Sequence, residues 1–357
     1  MSSTGINAVE LARPEIQALA PYASARALAN SAGILLNANE NPWPPAGDGG
    51  LALNRYPDPQ PAALKARMAD FYGISPDQLL ITRGSDEGID LLVRAFCRAG
   101  EDRVLICPPC FGMYAMSAHI QGAEVIEVPL IEGDSDWSLD VDGVLAAKPA
   151  RIYFLCSPNN PTGNLIEAEQ VLALTQQVAE HGLVVIDEAY IEFCDRPSLT
   201  TRLAEQGNLV ILRTLSKAFA LAGCRIGALI ADAEIVGLLR RIIAPYPLPT
   251  PSVHAALTAL ESVDPSSTQL ESLAEQKARL VTALQNHSAV LKLWPGAANF
   301  VLLRVADGPG MIEAAAAAGI RLRDQSAQPG LANCVRISIG TAEETDTLIQ
   351  FLNEWRA

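Results

Sequence analysis

The segment Val210–Gly227, VILRTLSKAFALAGCRIG, predicts both the fold of the surrounding chain and the position of a functional site. Its opening apolar run is typical of a buried strand, and Ser216 and Lys217 follow where that strand gives way to a loop. In α/β sheets, ligand-binding residues collect at such strand ends. Most lysines are simply solvated at the surface, so this segment alone leaves two interpretations of Lys217 open.

Arg225 adds a second positive charge eight residues after Lys217. A guanidinium that folds back toward the hydroxyls of Thr214 and Ser216 can hold an anion through two parallel hydrogen bonds. A lysine amine is a nucleophile only when it is deprotonated, and partial burial beside another cation lowers its pKa enough for it to bond to an aldehyde. The segment therefore suggests a lysine for covalent bonding and an arginine for phosphate.

Length and composition limit the classes of protein to consider. The chain has 357 residues, 49% of them hydrophobic, which indicates a well-cored globular protein of one large or two ordinary domains. Its net charge of −14 argues against nucleic acid or an anionic membrane as a partner, because both need clustered lysine and arginine. No signal peptide and no apolar run approaching the roughly 20 residues of a membrane span is recognised, so we expect a cytoplasmic protein. Seven cysteines and four histidines complete neither a disulfide framework nor a metal shell, so no metal is expected.

Strands and helices alternate from Leu79 onward, which predicts a mostly parallel sheet flanked by helices. The predicted strands of this part are Leu79–Thr82, Arg103–Cys107, Glu124–Val128, Arg151–Cys156, Leu183–Ile186, Leu209–Leu212 and Ala228–Ala231. Four prolines between residues 245 and 251 then predict the passage into a smaller α+β domain, with strands at Val290–Leu293, Asn299–Arg304, Ile320–Leu322 and Cys334–Ile339. We therefore divide the chain into an N-terminal arm that also contributes to the small domain (1–45), a large domain (46–246) and a small domain (247–357).

Three further strand ends bear polar groups. The turn around Gly84 enters a predicted helix, Ile89–Arg98, with Ser85 as its N-cap, and such a helix start offers unpaired N–H groups to phosphate. Asn160 lies in a rigid proline-bounded turn, and Asp187, followed by Tyr190, ends an apolar strand where a carboxylate is costly unless it is paired. Together with Lys217, these groups meet the needs of pyridoxal 5′-phosphate: an amine for its aldehyde, an anion for its ring nitrogen, donors for its phenolic oxygen, and a phosphate site.

Five motifs give the chain a family resemblance over about Tyr22 to Ile339. In chain order they are LNANENP (36–42), RGSDEG (83–88), SPNNPTG (157–163), VVIDEAY (184–190) and TLSKAFALAGCRIG (214–227). In these motifs the chain closely resembles the fold-type I aminotransferases and, within them, the histidinol-phosphate aminotransferases. The resemblance implies an α/β fold with a mostly parallel seven-stranded sheet and a smaller α+β domain, pyridoxal 5′-phosphate as cofactor, and a homodimer.

The resemblance also implies roles for individual residues around the cofactor. Lys217 would bond to the cofactor and later move a proton, Asp187 would keep the pyridine nitrogen protonated, and Asn160 and Tyr190 would hydrogen-bond the phenolic oxygen. The residues implied to hold the phosphate are Ser85, Asp86, Thr214, Ser216 and Arg225, with Tyr56 of the partner subunit. Phe111 stands where close relatives usually have a tyrosine that stacks on the ring, so stacking is retained and the hydroxyl is lost.

For the substrate, the resemblance implies Arg336 as the ligand of a carboxylate and Arg323 as a second anion ligand. Two neighbouring guanidiniums suit a phosphate monoester better than a lone carboxylate. Tyr22, Asn39 and Asn160 resemble residues that line the substrate pocket. The implied reaction moves an amino group between L-histidinol phosphate and 2-oxoglutarate, forming imidazole acetol phosphate and L-glutamate in histidine biosynthesis.

Other functions fit many of the same motifs. An aromatic amino acid aminotransferase, or a decarboxylase of a phosphorylated amino acid such as threonine phosphate, would use the same cofactor. A non-catalytic module that senses pyridoxal phosphate or an amine is a third possibility. Such regulators usually have a DNA-binding extension, and both the short segment before Tyr22 and the net charge of −14 lead us to expect none.

Overall fold

The protein is described by a computed structural model that covers residues 7–22, 33–261 and 266–356. Its strands are β1 (Leu79–Thr82), β2 (Arg103–Ile106), β3 (Glu124–Glu127), β4 (Ile131–Glu132), β5 (Trp137–Ser138), β6 (Ile152–Cys156), β7 (Leu183–Asp187), β8 (Leu209–Thr214), β9 (Gly227–Ile230), β10 (Val290–Trp294), β11 (Phe300–Val305), β12 (Arg323–Asp324) and β13 (Cys334–Ser338). Its α-helices are α1 (Pro14–Gln17), α2 (Ala62–Tyr72), α3 (Ser85–Phe96), α4 (Met113–Gln121), α5 (Val141–Ala146), α6 (Ala168–Gln177), α7 (Ala233–Leu239), α8 (Thr250–Glu261), α9 (Ser266–Gln285), α10 (Gly308–Ala317) and α11 (Ala342–Glu354). Short 3-10 helices occur at Ala8–Leu11, Pro76–Gln78, Ile191–Phe193, Leu199–Glu205 and Ala222–Cys224.

The large sheet has seven strands in the order β1-β9-β8-β7-β6-β2-β3. The pairs from β3 to β8 are parallel, whereas β9 runs antiparallel to both β8 and β1. Every residue of β6, β7 and β8 is buried, as expected of parallel strands covered on both faces. The predicted mostly parallel seven-stranded sheet is confirmed.

Two hydrophobic layers cover the faces of this sheet. Along β8, Leu209 and Ile211 pack into one layer, while Val210 and Leu212 pack into the other, because successive strand residues point to opposite faces. Because β6, β7 and β8 pair in parallel, their carboxyl ends lie side by side. In this register Cys156 pairs with Asp187, and Asp187 pairs with Leu212.

A second, antiparallel sheet follows in the order β10-β11-β13-β12. Its own core includes Val301 and Val335 from the strands and Leu284 and Leu348 from the helices α9 and α11. The smaller α+β unit expected from the sequence is present. The helix α8 precedes this smaller unit in the chain but packs at the large sheet, where Leu260 joins the hydrophobic layer that also contains residues of α2. The domain boundary after residue 246 stays a prediction.

Two local predictions are wrong. The strand expected at Ile320–Leu322 forms instead at Arg323–Asp324, the two charged residues that pair with β13. The apolar side chains of Ile320 and Leu322 pack, partly buried, against the core of the small sheet. Ser85 is the first residue of α3 and not its N-cap. Gly84 caps the helix with a φ of 76°, a backbone conformation that favours glycine.

Within the described part of the chain, no helix is long and apolar enough to cross a membrane.

Candidate active site

A cavity of about 560 Å³ opens at the carboxyl end of the large sheet and extends to the small sheet. The predicted site residues that line it are Ser85, Asp86, Phe111, Asn160, Asp187, Tyr190, Thr214, Ser216, Lys217, Arg225, Arg323 and Arg336. They come from strand ends and loops that are far apart in the chain. The parallel topology brings the large-sheet residues together because the strands that precede them end at the same edge. Arg323 and Arg336 come instead from β12 and β13 of the small antiparallel sheet.

Three predicted residues lie elsewhere in the single chain. Asn39 and Tyr56 line a separate cavity, where the Tyr56 ring stacks on Tyr246 with centroids 4.4 Å apart. Tyr22 is largely exposed, and residues 23–32, which follow it, lie outside the described part of the chain. This chain by itself does not bring these three side chains to the main cavity.

An anion-binding corner forms where the start of α3 faces Arg225. The Arg225 guanidinium donates to Asp86 Oδ2 over 3.2 Å and to Ser216 Oγ over 3.4 Å. A Cβ on Gly84 would lie 2.6 Å from Arg225 Nη2, so only glycine lets the guanidinium approach this helix start. Thr214 Oγ1 accepts a hydrogen bond from the Ser216 amide at 3.1 Å and fixes the loop that holds Ser216.

Asp187 is a buried carboxylate at the end of β7, 3% exposed. Its Oδ1 accepts the Ala189 amide at 3.0 Å, and its Oδ2 accepts the Tyr114 hydroxyl at 2.8 Å. Burial raises the pKa of Asp187 to about 6, although these two hydrogen bonds oppose the rise. No cationic side chain among the described residues forms an ion pair with it. A buried carboxylate in this state suits a cationic ring nitrogen.

Lys217 opens into the cavity from the loop after β8. Its Nζ lies 5.5 Å from the centroid of the Tyr190 ring. The pKa of Lys217 is lowered, first because the cavity walls partly desolvate the ammonium and then because Arg336 repels it. The reactive, deprotonated amine is therefore more accessible than in a solvated lysine, as expected for a covalent ligand of an aldehyde.

Asn160, Tyr190 and Arg336 form a polar network across the cavity. The Asn160 amide donates to the Tyr190 hydroxyl over 3.5 Å, and Arg336 Nη1 donates to Asn160 Oδ1. Arg336 reaches over from β13 and lies against the Phe300 ring, 5.3 Å from its centroid. Its Nε is buried and has no hydrogen-bond partner among the described residues, and burial lowers the pKa of the Arg336 guanidinium. Arg323 stands opposite Arg336 in the register of β12 and β13.

The cavity is electropositive in an acidic protein. Four cationic side chains and two carboxylates line it, while the chain as a whole carries a charge of −14. A local excess of positive charge attracts anions such as phosphates and carboxylates.

Several residues at the cavity were not predicted from the sequence. Gln325 and Gln328 line it beside Arg323, and Gln328 Nε2 donates to Gln325 Oε1 at 2.9 Å. Met116 and Cys156 complete its walls. Gln325 stands two residues after Arg323 in the sequence, which is a signal that could have identified it; the other three gave no comparable sign.

Comparison with known proteins identifies the family of the chain. Residues 35–352 match the family described as aminotransferase class I and II. The histidinol-phosphate aminotransferase of Stenotrophomonas maltophilia (strain R551-3) is 45% identical over 352 residues, covering 97% of both chains. That of Xylella fastidiosa (strain 9a5c) is 45% identical over 354 residues, covering 98% of this chain and 97% of its own. The crystal structure of the Sinorhizobium meliloti histidinol-phosphate aminotransferase with pyridoxal-5′-phosphate superposes with a TM-score of 0.76 at 29% identity, covering 89% of each chain.

Proposed function

Since this chain belongs to the class I and II aminotransferases and, within them, to the histidinol-phosphate aminotransferases, we propose that it transfers the amino group of L-histidinol phosphate to 2-oxoglutarate. The products are imidazole acetol phosphate and L-glutamate, and the reaction serves histidine biosynthesis. The observation that supports this substrate is the pair Arg323 and Arg336, which lie in register at one end of an electropositive cavity that also contains Lys217. Two guanidiniums suit a phosphate monoester.

The enzyme uses pyridoxal 5′-phosphate, and the cavity suits that cofactor. When bound, the cofactor supplies an aldehyde that bonds to amines and a ring that accepts electrons from the substrate Cα. The corner formed by Ser85, Ser216 and Arg225 would hold its phosphate, supported by Thr214 and the backbone at Asp86. Asp187 would pair with the ring nitrogen, and its negative charge would keep that nitrogen protonated because a nearby opposite charge favours the charged form.

Lys217 would act at the substrate Cα. Its lowered pKa would provide the free amine that takes the proton from the substrate Cα and passes it to C4′, the aldehyde carbon of the cofactor. Desolvation by the cavity walls and the repulsion from Arg336 both favour this neutral form over the ammonium ion.

Asn160 and Tyr190 would donate to the phenolic oxygen of the cofactor. The Asn160 amide and the Tyr190 hydroxyl lie 3.5 Å apart, a long contact that a better acceptor between them would replace. Phe111 lines the cavity, edge-on to Tyr114 with centroids 5.7 Å apart, and would cover one face of the cofactor ring.

The choice of substrate can be tested with Arg323→Gln. We expect the KM for L-histidinol phosphate to rise by about 10- to 100-fold, because a charge-assisted hydrogen bond to the substrate phosphate is lost. The KM for L-histidinol, which lacks the phosphate, should change little. The matched control is Arg321→Gln, which removes an exposed guanidinium that bonds to the Ala316 carbonyl and does not line the cavity.

The same assays separate the alternatives that share the cofactor. Steady-state kinetics with L-phenylalanine, L-tyrosine and L-threonine phosphate in place of L-histidinol phosphate should give far lower kcat/KM values. If an aromatic amino acid is the best substrate, the aminotransferase assignment stands and the proposed substrate is wrong. Release of carbon dioxide without consumption of 2-oxoglutarate would identify a decarboxylase.

We further propose that the enzyme is a cytoplasmic homodimer in which Tyr56 of one subunit reaches the cofactor phosphate of the other. The N-terminal arm exposes Ile34, Leu36 and Trp43, which are 75–89% exposed, and Tyr56 lies just beyond it, 47% exposed. An apolar strip of this kind is suited to burial against a second copy. Tyr22 and Asn39 would complete the substrate pocket from the same strip.

Light scattering is expected to give a molar mass of twice that of the 38.0-kDa chain. Tyr56→Phe should leave this mass unchanged and weaken binding of pyridoxal 5′-phosphate by about tenfold, because one hydrogen bond to a charged group is lost. A monomer that binds the cofactor with full affinity would refute this arrangement.

A further inference from the structure

Tyr114 contacts two residues that line the cavity, Phe111 and Asp187, and no function has been given to it above. It lies on α4, three residues after Phe111, and is fully buried. Its hydroxyl donates to Asp187 Oδ2 over 2.8 Å, across 73 residues of sequence. Tyr114 thus connects Phe111, which would cover the cofactor ring, with Asp187, which would pair with the ring nitrogen.

The Tyr114 ring is held on two sides. It stacks on Phe154 of β6 with centroids 4.8 Å apart and an interplanar angle of 5°, and it meets Phe111 edge-on at 5.7 Å. A tyrosine clamped in this way cannot turn its hydroxyl away without disturbing the sheet. Because a buried hydroxyl needs a partner, the bond to Asp187 satisfies both groups.

The Asp187 carboxylate is bonded at both of its oxygens. Oδ1 accepts the Ala189 amide at 3.0 Å from its own chain segment, whereas Oδ2 accepts the Tyr114 hydroxyl from a different element. Two donors from different directions fix the plane of the carboxylate. A fixed carboxylate can pair with a cationic nitrogen without first losing rotational freedom.

We propose that Tyr114 is a positioning residue that holds Asp187 in the orientation and charge state that pairs with the ring nitrogen of pyridoxal 5′-phosphate. This inference rests on the proposed role of Asp187 and assigns a function to a residue two contacts away from the cofactor. Tyr114 acts through Asp187.

The charges around Asp187 show why a neutral donor matters here. Burial raises the pKa of Asp187 to about 6; the Tyr114 bond is the largest effect that lowers it, followed by the Ala189 amide. Asp86 raises this pKa and Lys217 lowers it. The thiols of Cys156 and Cys110 lie near Tyr114, and burial raises their pKa values so far that both are neutral at pH 7. Losing the hydroxyl therefore moves the carboxyl pKa upward, toward pH 7.

The sign of the pH effect follows from this shift. Pairing with a protonated ring nitrogen needs the ionised carboxylate, so cofactor affinity falls as the pH drops through the carboxyl pKa. In Tyr114→Phe that decline should begin at a higher pH than in the wild type.

The test uses pyridoxamine 5′-phosphate, which has no aldehyde and binds without a bond to Lys217. Its Kd is measured by equilibrium dialysis between pH 5.5 and 8.5 for the wild type and for Tyr114→Phe, which keeps the ring and its packing. We expect the Kd at pH 7 to rise by at least about tenfold in the variant, and the pH of half-maximal affinity to move upward. Near-ultraviolet circular dichroism checks that the aromatic packing is retained.

Tyr153→Phe is the matched control. Tyr153 is also a buried tyrosine, but its hydroxyl bonds to the Ala150 amide and to His181, each over 3.1 Å, far from Asp187. This variant should bind the probe with the wild-type Kd. A comparable loss of affinity in Tyr153→Phe would overturn the inference, because any lost buried hydroxyl would then suffice.

Asp187→Asn separates this inference from the proposed function. If Asp187→Asn binds the probe weakly while Tyr114→Phe keeps the wild-type Kd and pH profile, the role of Tyr114 is wrong and that of Asp187 stands. If both variants bind like the wild type, the pairing of Asp187 with the ring nitrogen is itself wrong, and the role of Tyr114 falls with it.

Discussion

Replacing Lys217 by alanine is expected to lower kcat for amino transfer by at least about 10⁴-fold, since both the covalent bond to the cofactor and the proton transfer at Cα are lost. The fold should be unaffected, because the side chain opens into the cavity and its removal leaves no buried partner unsatisfied. The measurement is single-turnover and steady-state kinetics with saturating L-histidinol phosphate and 2-oxoglutarate, together with the visible absorption of the bound cofactor.

The matched control for this variant is Lys148→Ala, which removes an exposed lysine outside the cavity. It should retain wild-type kcat and the wild-type absorption spectrum. Residual transamination in Lys217→Ala within about tenfold of the wild type would show that another group bonds to the cofactor, and the assignment of Lys217 would be wrong.

Asp187→Asn is expected to lower kcat/KM by roughly 10²- to 10³-fold, although the side chain keeps its shape. The neutral amide cannot keep the ring nitrogen protonated, so the ring loses much of its capacity to accept electrons from Cα. The wild type should also lose cofactor affinity as the pH falls through about 6, where the Asp187 carboxyl becomes protonated. This acid-side loss should be absent in the variant, because asparagine does not titrate.

The control for this second variant is Asp195→Asn, an exposed carboxylate eight residues away in the chain. It should leave kcat/KM and the pH dependence unchanged. Near wild-type activity in Asp187→Asn would mean that the ring nitrogen is not paired with this residue. This conclusion would hold for either outcome of the Lys217→Ala experiment.

Much of the fold could be predicted because its strands are locally encoded. The apolar runs at β6, β7 and β8 are buried on both faces, and a run of this kind is recognisable in the sequence without knowledge of its neighbours. Boundaries were less certain, as α3 shows: a serine before acidic residues is a common helix cap, yet here Gly84 takes that position. Glycine suits this position because its φ of 76° disfavours other residues and because the Arg225 guanidinium, 141 residues distant, packs against it.

The edge strand β12 is the other case in which local signals misled. Ile320 and Leu322 have the residue types of a strand, but the partly buried apolar pair packs against the small-sheet core and the ladder to β13 begins at Arg323. An edge strand of two residues is decided by its partner more than by its own composition. This shift places Arg323 opposite Arg336, the pair proposed to hold the substrate phosphate.

The sequence by itself determined the chemistry of the site: a lysine, a carboxylate and an anion-binding corner, each at a strand end marked by local composition. Only the tertiary structure decided how these groups act on one another. The bonds of Tyr114 to Asp187, Asp86 to Arg225 and Asn160 to Arg336 span 73, 139 and 176 residues. No local pattern predicts such pairs, because they exist only where separate elements pack together, and burial there sets the pKa values on which the chemistry depends.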